Sequence, residues 1–256
     1  MKSTSRAVLG LARLTLLEAR RTAVGKAAVA AIIISVSLAL FVDRIVLTEQ
    51  VRATVVTYAV MVRIGLVLVL GQAIIANTVR DLNEHTVDVF LALPLTRMQY
   101  VLGKWLGWIA VAVTLGWCAA LPLLAFPGTP GRLVWAVSFA AEIAVIVSLA
   151  LLLALALGNI VTAMLAFCCI YLFARIGYLL VLLSINTGAL SGALFDRFDA
   201  RYLQLAEYLL PRMDRFAETS WLLGAPIRFG PDILQALIYI ALLGAVANIE
   251  LRRKQF

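Results

Sequence analysis

The sequence has few charged residues and very little histidine or cysteine, and these shortages exclude several kinds of site. Charged residues are 14% of the 256 positions, against roughly 25% in an average soluble domain. One histidine, His85, and three cysteines without CxxC spacing give no pattern for a metal site or a disulfide framework. We interpret Cys118, Cys168 and Cys169 as small core residues, and we predict no bound metal.

Motifs for catalysis and nucleotide binding are also missing. The sequence contains no GxxxxGK[ST], so the chain cannot hold ATP phosphates as a Walker P-loop does. It also has no HExxH, no GxSxG and no Cys/His group suited to nucleophilic catalysis. We therefore expect no enzymatic activity and no cofactor in this chain.

Apolar residues are abundant, at 63% of the chain. Because a helix needs about 20 mostly apolar residues to cross a bilayer, runs of that length predict transmembrane helices. The predicted spans are about 23–42, 53–77, 101–126, 132–157, 160–185 and 232–250. We predict an all-α polytopic membrane protein, with residues 1–256 forming a single transmembrane domain of six spans.

The N-terminal residues 3–21 have the pattern of a helix lying in the membrane interface. Three arginines recur at seven-residue spacing on one face, and three apolar residues share another face. The arginines are Arg6, Arg13 and Arg20, and the apolar residues are Leu9, Ala12 and Leu16. The basic face would meet anionic headgroups of the cytoplasmic leaflet. A solvated basic tail is the alternative.

Basic residues at the ends of the spans predict the topology. The net charge of +8 is spread over these ends, so we expect contact with lipid and no nucleic-acid partner. The basic cluster at 252–254 follows the last span, which places both termini in the cytoplasm. Residues 186–231 are then external. Apolar residues at helical spacing within them predict an amphipathic helix that ends at Pro211 and rests on the outer surface or dips partly in.

One polar run separates the second and third predicted spans. It reads RDLNEHTVDVFLALPLTRMQYVLGKWLG from Arg80 to Gly107. Residues 80–93 are enough for about three to four helical turns, with a polar start and an apolar end, before Pro94 ends the helix. Such a helix can insert its apolar end into a groove of another protein. A solvated topology loop is the alternative, but a loop needs neither an apolar end nor a terminating proline.

The polar run resembles the permease subunits of ATP-binding-cassette exporters of the type-2 class. In that family the second cytoplasmic segment reads approximately E-x-G-T-L-E-x-L-L-x-L-P-[LIV]-S-R, and a G-K-x-x-G-like start to the third span follows. The matching stretches here are NEHTVDVFLALPLTR and GKWLG, although His85 stands where a glycine is commoner. The positions on the pattern are Thr86, Asp88, Leu91, Leu93, Pro94, Thr96, Arg97, Gly103, Lys104 and Gly107. The external stretch LLPRMDRF, at 209–216, also resembles that family.

The resemblance implies a role for each part of the chain. Segment 78–100 would be the coupling helix docked on a separate nucleotide-binding ATPase, and 3–21 would be the elbow helix. The implied coupling residues are Arg80, Asp81, Glu84, His85, Thr86, Asp88, Phe90, Leu93, Pro94 and Arg97. The implied partners are two ATPase subunits, which would bind ATP and Mg²⁺, and a second copy of the permease or a related permease. The implied location is the bacterial inner membrane.

Two other functions compete with ATP-driven export. A mechanotransmitting or assembly permease would drive a periplasmic or lipid-facing partner, but the short outer loops leave little room for one to dock. An ion-coupled secondary transporter would use the membrane charges as its ion site, but such folds usually show structural repeats and broken helices, and neither is evident. The sequence does not indicate the substrate.

Three ionisable residues lie within predicted spans, where the cost of burying a charge makes them candidate functional residues. Arg63, Glu142 and Arg175 each lie about ten residues from the outer end of a span, or roughly 15 Å deep. We hypothesise that Glu142 bridges the two arginines, either as a structural clamp or as part of a polar lining of the substrate path. We favour the clamp, because buried charges are usually paired.

Other residues of the spans predict packing and capping. Gly103 and Gly107 form a small-xxx-small face suited to close helix packing. Lys104, Asn77 and Asn159 lie near predicted cytoplasmic ends, where we expect them to snorkel toward water or to cap helices.

Overall fold

A computed structural model describes residues 2–46, 50–84, 97–126, 131–187, 213, 216, 218–226 and 230–253. Every regular element among these residues is helical, which agrees with the all-α prediction. The α-helices are α1 (Lys2–Arg21), α2 (Ala23–Ile45), α3 (Gln50–Asn83), α4 (Arg97–Ala120), α5 (Arg132–Leu157), α6 (Ile160–Thr187) and α7 (Gly230–Arg253). Short 3₁₀ helices lie at Leu121–Leu124 and Thr219–Leu223.

Four helices of the described part are long and apolar enough to cross a membrane. They are Ala23–Ile45, Gln50–Asn83, Met98–Leu124 and Arg132–Leu157. The described apolar stretches Ile160–Arg175 and Ile233–Ala247 are shorter. These helices indicate a membrane protein, whereas the number of six crossings stays a prediction.

Helix α3 is longer than the second predicted span and includes the start of the polar run. The sequence predicts the span to end at 77 and a separate helix to start at 80, but α3 continues without a break to Asn83. No glycine or proline lies between 72 and 83 to interrupt it, and Val79 and Leu82 are buried against the bundle. The separate helix expected from residue 80 therefore does not start there, and residues 85–96 lie outside the described part.

Helix α5 is the centre of the bundle, because it packs against α3, α4, α6 and α7. Its sequence is apolar all round, as expected of a helix with neighbours on every side. It ends at Gly158, whose φ of 63° lies in the left-handed region and whose N–H bonds to the Ala154 carbonyl at 3.2 Å. Asn159 then caps α6, since its Oδ1 accepts from the Val161 N–H at 2.9 Å.

Helix α1 crosses the start of α4 at two glycines. A Cβ added to Gly103 would lie 2.6 Å from the Cβ of Leu11, and a Cβ added to Gly107 would lie 2.6 Å from the Cβ of Thr15. Real Cβ atoms do not approach so closely, so the two helices can touch here only because both positions are glycine. The small-xxx-small face thus packs against the N-terminal helix.

Two residues that were predicted to be in the core lie at the surface of the chain. Cys118 and Cys169 are exposed, so their interpretation as core residues was wrong. Cys168 is half-buried and packs against the main core. Exposed apolar side chains cost little on a membrane helix, because lipid tails are as apolar as a leucine.

Five helices meet at one end of the bundle, which we call the α3–α4 end. A buried apolar cluster there joins α1, α3, α4, α5 and α7. Its members are Leu11, Leu82, Tyr100, Val101, Leu155 and Ala247. The N-terminal helix, both helices that flank the polar run and the C-terminal part of α7 therefore lie on the same side of the bundle.

Candidate functional site

Two clusters of polar groups interrupt the apolar interior. The first lies at the α3–α4 end, and we call it the basal cluster. It consists of Glu18, Asn77, Asp81, Tyr100 and Lys104. The second lies deeper in the bundle, and we call it the buried ion cluster. It consists of Arg63, Glu142 and Arg175 with the backbone carbonyls of Met213 and Phe216.

In the basal cluster, Asp81 joins the end of α3 to the start of α4. The Lys104 ammonium forms an ion pair with Asp81 Oδ2, and the Tyr100 hydroxyl donates to the same oxygen at 3.1 Å. Both side chains reach it because they are four residues apart on one face of α4. Lys104 is only 4% exposed. It does not snorkel toward water as expected, since Asp81 provides an opposite charge within the bundle.

Helix α1 is tied to the same cluster. Asn77 Nδ2 donates to Glu18 Oε1 at 2.6 Å, which joins α3 to α1. Together with the glycine crossing of α1 on α4, this hydrogen bond fixes three helices to one another next to the polar run.

Two of the coupling residues, Arg80 and Glu84, are exposed at the end of α3. Their charged groups form a loose ion pair, with Arg80 Nε 4.0 Å from Glu84 Oε1 and side chains 69% and 65% exposed. An exposed pair of this kind contributes about 0–1 kcal/mol to stability, so both side chains are free to exchange it for contacts with a partner. Asp81, in contrast, is already engaged inside the chain by Tyr100 and Lys104.

The other coupling residues are less fully placed. Arg97 is the first residue of α4. The rest lie outside the described residues, so their role stays a prediction. They are His85, Thr86, Asp88, Phe90, Leu93 and Pro94.

The buried ion cluster contains a direct ion pair between α3 and α5. Arg63 Nε donates to Glu142 Oε2 at 2.6 Å, and the two side chains are 1% and 0% exposed. Arg63 Nη2 also donates to the carbonyl of Met213 at 2.9 Å and to that of Phe216. Arg175 Nη1 donates to the Met213 carbonyl at 2.6 Å. Glu142 thus pairs with Arg63, as one half of the bridge hypothesis requires, and the Met213 carbonyl accepts a hydrogen bond from each of the two arginines.

These contacts hold part of the segment predicted to be external inside the bundle. Met213 and Phe216 are each 1% exposed and belong to the main apolar core. Trp221 is 2% exposed, and its carbonyl packs against Gly131, where a Cβ would collide with it. The segment therefore enters the bundle at these residues, whereas the amphipathic helix predicted before Pro211 lies outside the described part.

Sequence reasoning found the three charges of the ion cluster and missed the carbonyls. A charge in an apolar span is conspicuous, whereas every residue carries a carbonyl and no pattern marks the one that will accept a buried donor. Asp81 and Lys104 carried a detectable signal, since opposite charges lay at two helix ends joined by a short connection.

No group of three or more histidine, cysteine, aspartate or glutamate side chains lies close enough to hold a metal ion among the residues that the structure describes. The chemistry available in both clusters is ion pairing and hydrogen bonding between helices. No protein-family model matches this chain, and no curated protein is significantly similar to it.

Proposed function

We propose that the chain is the membrane subunit of an ATP-binding-cassette exporter. A separate nucleotide-binding subunit would hydrolyse ATP and drive export of the substrate across the inner membrane. Residues 80–97 would dock on that subunit, and two copies of the chain, or one copy and a related permease, would form the pathway. The observation that best supports this proposal is the basal cluster, because it joins the two helices that flank the proposed docking segment.

A docking segment transmits force only if its ends cannot move independently. Residues 85–96 connect Glu84 to Arg97, and Asp81 lies three residues before Glu84. The ion pair of Asp81 with Lys104 joins the two flanking helices close to both ends of this connection. A push on the segment would therefore move α3 and α4 together instead of bending the connection.

The contacts of α4 offer a path for that movement into the rest of the bundle. The glycine crossing passes it to α1. The indole Nε1 of Trp105 donates to Ser148 Oγ at 2.8 Å, which joins α4 to the central helix α5. Six residues earlier on α5, Glu142 pairs with Arg63 of α3. Coupling of this kind requires two discrete arrangements of the helices, between which ATP hydrolysis would switch the protein.

The buried ion cluster gives less support to ion-coupled transport. An ion site must exchange with water, but the Arg63 and Glu142 side chains are 1% and 0% exposed. Arg63 is further engaged by the carbonyls of Met213 and Phe216. We therefore propose that this cluster is a clamp between α3, α5 and the segment containing residue 213.

Purification in mild detergent tests the proposed function. We expect a protein with a Walker motif to copurify with the chain and to hydrolyse ATP. Replacing Arg80 and Glu84 together by alanine should reduce the copurified ATPase activity roughly tenfold, equivalent to about 1.4 kcal/mol of binding. The fold should persist, because the two side chains are 69% and 65% exposed.

The matched control removes one positive and one negative charge elsewhere. Arg44 and Glu218 are both exposed, and their double alanine variant should keep the ATPase bound. If no ATPase copurifies, or if the control loses it as completely as the Arg80 and Glu84 variant, the proposal is refuted.

A further inference from the structure

A cavity of about 260 Å³ lies between α4, α5 and α7 at the α3–α4 end. Met98, Val101 and Trp105 line it from α4, and Ala241 and Gly244 line it from α7. This volume is just below the roughly 300 Å³ at which small-molecule sites begin. The cavity therefore has room for part of a flexible molecule.

The described residues that line the cavity offer no free polar side chain. Among the residues that line it, the polar side chains are Trp105 and Ser148. Trp105 Nε1 donates to Ser148 Oγ at 2.8 Å, and Ser148 Oγ donates to the Ala144 carbonyl at 3.0 Å. A sugar or peptide placed here would lose its hydrogen bonds to water without replacement. The occupant must therefore be apolar over the length that enters.

The cavity opens sideways between α4 and α7. Met98 is 45% exposed, and Ala241 and Ala245 are exposed as well. On a membrane helix such a face is in contact with lipid. A hydrocarbon chain can therefore enter the cavity from the bilayer without crossing water.

Basic residues continue both walls toward the helix ends. Arg97 precedes Val101 by four residues on α4, which places it one turn away along the same face. On α7, Arg252 follows Ala245 by seven residues and occupies the same face, two turns further along. Both helices therefore carry an arginine position beyond the cavity on the same face, and basic pockets between membrane helices bind the headgroups of anionic lipids.

We propose that this cavity binds one acyl chain of an anionic phospholipid, with the headgroup at the positions of Arg97 and Arg252. The proposal depends only on the placement of these helices in a membrane and is independent of the proposed export function. Trp105 makes it measurable, because a brominated acyl chain in the cavity would quench the fluorescence of that indole.

The experiment uses the full chain in mild detergent, titrated with phosphatidylglycerol or phosphatidylcholine that carries brominated acyl chains. The signal of Trp105 is the difference between the wild type and Trp105→Phe. We expect phosphatidylglycerol to quench this signal at a concentration at least roughly fivefold lower than phosphatidylcholine, or about 1 kcal/mol tighter binding. Arg252→Gln should bring the two lipids within about twofold of each other, since only the headgroup contact is lost.

Filling the cavity provides the second arm. Within 4 Å, a Cβ at Gly244 meets Trp105 Cζ2 at 3.9 Å, so Gly244→Ala should fold and still bind lipid. Gly244→Phe should abolish the selective quenching, because its ring would occupy the cavity that Gly244 lines. Leu242→Phe is the control, because Leu242 is 54% exposed outside the cavity.

Three results would overturn the proposal. Equal quenching of the wild type by both lipids would mean ordinary boundary lipid. Unchanged selective quenching in folded Gly244→Phe would place the lipid elsewhere. Protection of Trp105 from both lipids in a dimeric wild type would mean that a second copy of the chain covers the cavity. If Gly244→Phe does not fold, the headgroup comparison in the wild type and in Arg252→Gln decides alone.

Discussion

Replacing Glu142 by alanine would remove the carboxylate that pairs with the buried guanidinium of Arg63. The two charged groups lie 2.6 Å apart, and their side chains are 1% and 0% exposed. Removing one member of a buried pair costs about 3–5 kcal/mol, because the other charge stays desolvated. At about 2–4 °C per kcal/mol for a chain of this size, the midpoint of thermal unfolding should fall by roughly 6–20 °C.

The assay is thermal unfolding of the purified chain in detergent, with two comparisons. Glu84→Ala removes the same side chain from an exposed pair at 4.0 Å, and should cost no more than about 1 kcal/mol. The double variant Arg63→Leu and Glu142→Leu should be more stable than Glu142→Ala, because no unpaired charge remains. It should not regain full wild-type stability, since the Phe216 carbonyl loses its donor. A loss in Glu142→Ala no larger than that in Glu84→Ala would refute the description of this pair as a buried clamp.

Other packing and charge contacts give further predictions, each checked by the same unfolding assay. Gly107→Val should lower the free energy of unfolding by about 1–3 kcal/mol, because the added Cβ would press on α1. Gly116→Ala is the control and should leave the free energy of unfolding unchanged, since the added Cβ has no neighbour nearer than 3.5 Å. Gly71→Ala should lower the free energy of unfolding by about 1–3 kcal/mol, because the added methyl group would collide with the ring of Phe167. Adding Phe167→Leu should restore part of this stability, and a double variant no more stable than Gly71→Ala would contradict the contact. Lys104→Met should cost about 1–3 kcal/mol, because it leaves a carboxylate without its cation; a neutral effect would mean that the ion pair does not hold the basal cluster.

The boundaries of α5 were predictable because the chain changes character at both ends. The predicted span 132–157 coincides with the helix Arg132–Leu157. Pro130 and Gly131 precede it and Gly158 follows it, so hydropathy and backbone preferences point to the same limits. For this helix, the sequence alone therefore predicts both ends correctly.

The end of α3 was not predictable in the same way. Hydropathy falls after Ala76, but a fall in hydropathy marks the edge of an apolar segment and not the end of a helix. No glycine or proline follows before Asn83, so the backbone continues as helix into the polar run. The position of Asp81 has the same cause. A charged residue beyond the apolar segment would be expected in water, but because α3 continues as a helix, Asp81 lies next to Lys104 and pairs with it.

The partners within the buried ion cluster could be predicted only in part. Opposite charges in one layer made the pairing of Arg63 with Glu142 an obvious hypothesis. The carbonyl of Met213, which contacts both Arg63 and Arg175, lies 150 positions from Arg63 in the sequence. A contact over that separation depends on how the whole chain folds. Because every residue has a backbone carbonyl, the residue type does not show which carbonyl will accept the hydrogen bond.

Photo-cross-linking in living cells would show which protein meets the polar run. A photoreactive phenylalanine analogue would replace Phe90, at the apolar end of the run, and in a separate control would replace Phe41, which is 61% exposed near the end of α2. We predict that position 90 cross-links to a protein carrying a Walker motif and that position 41 does not. Cross-links from position 90 only to proteins without a nucleotide-binding motif, or only to proteins on the outer side of the membrane, would contradict the proposed docking.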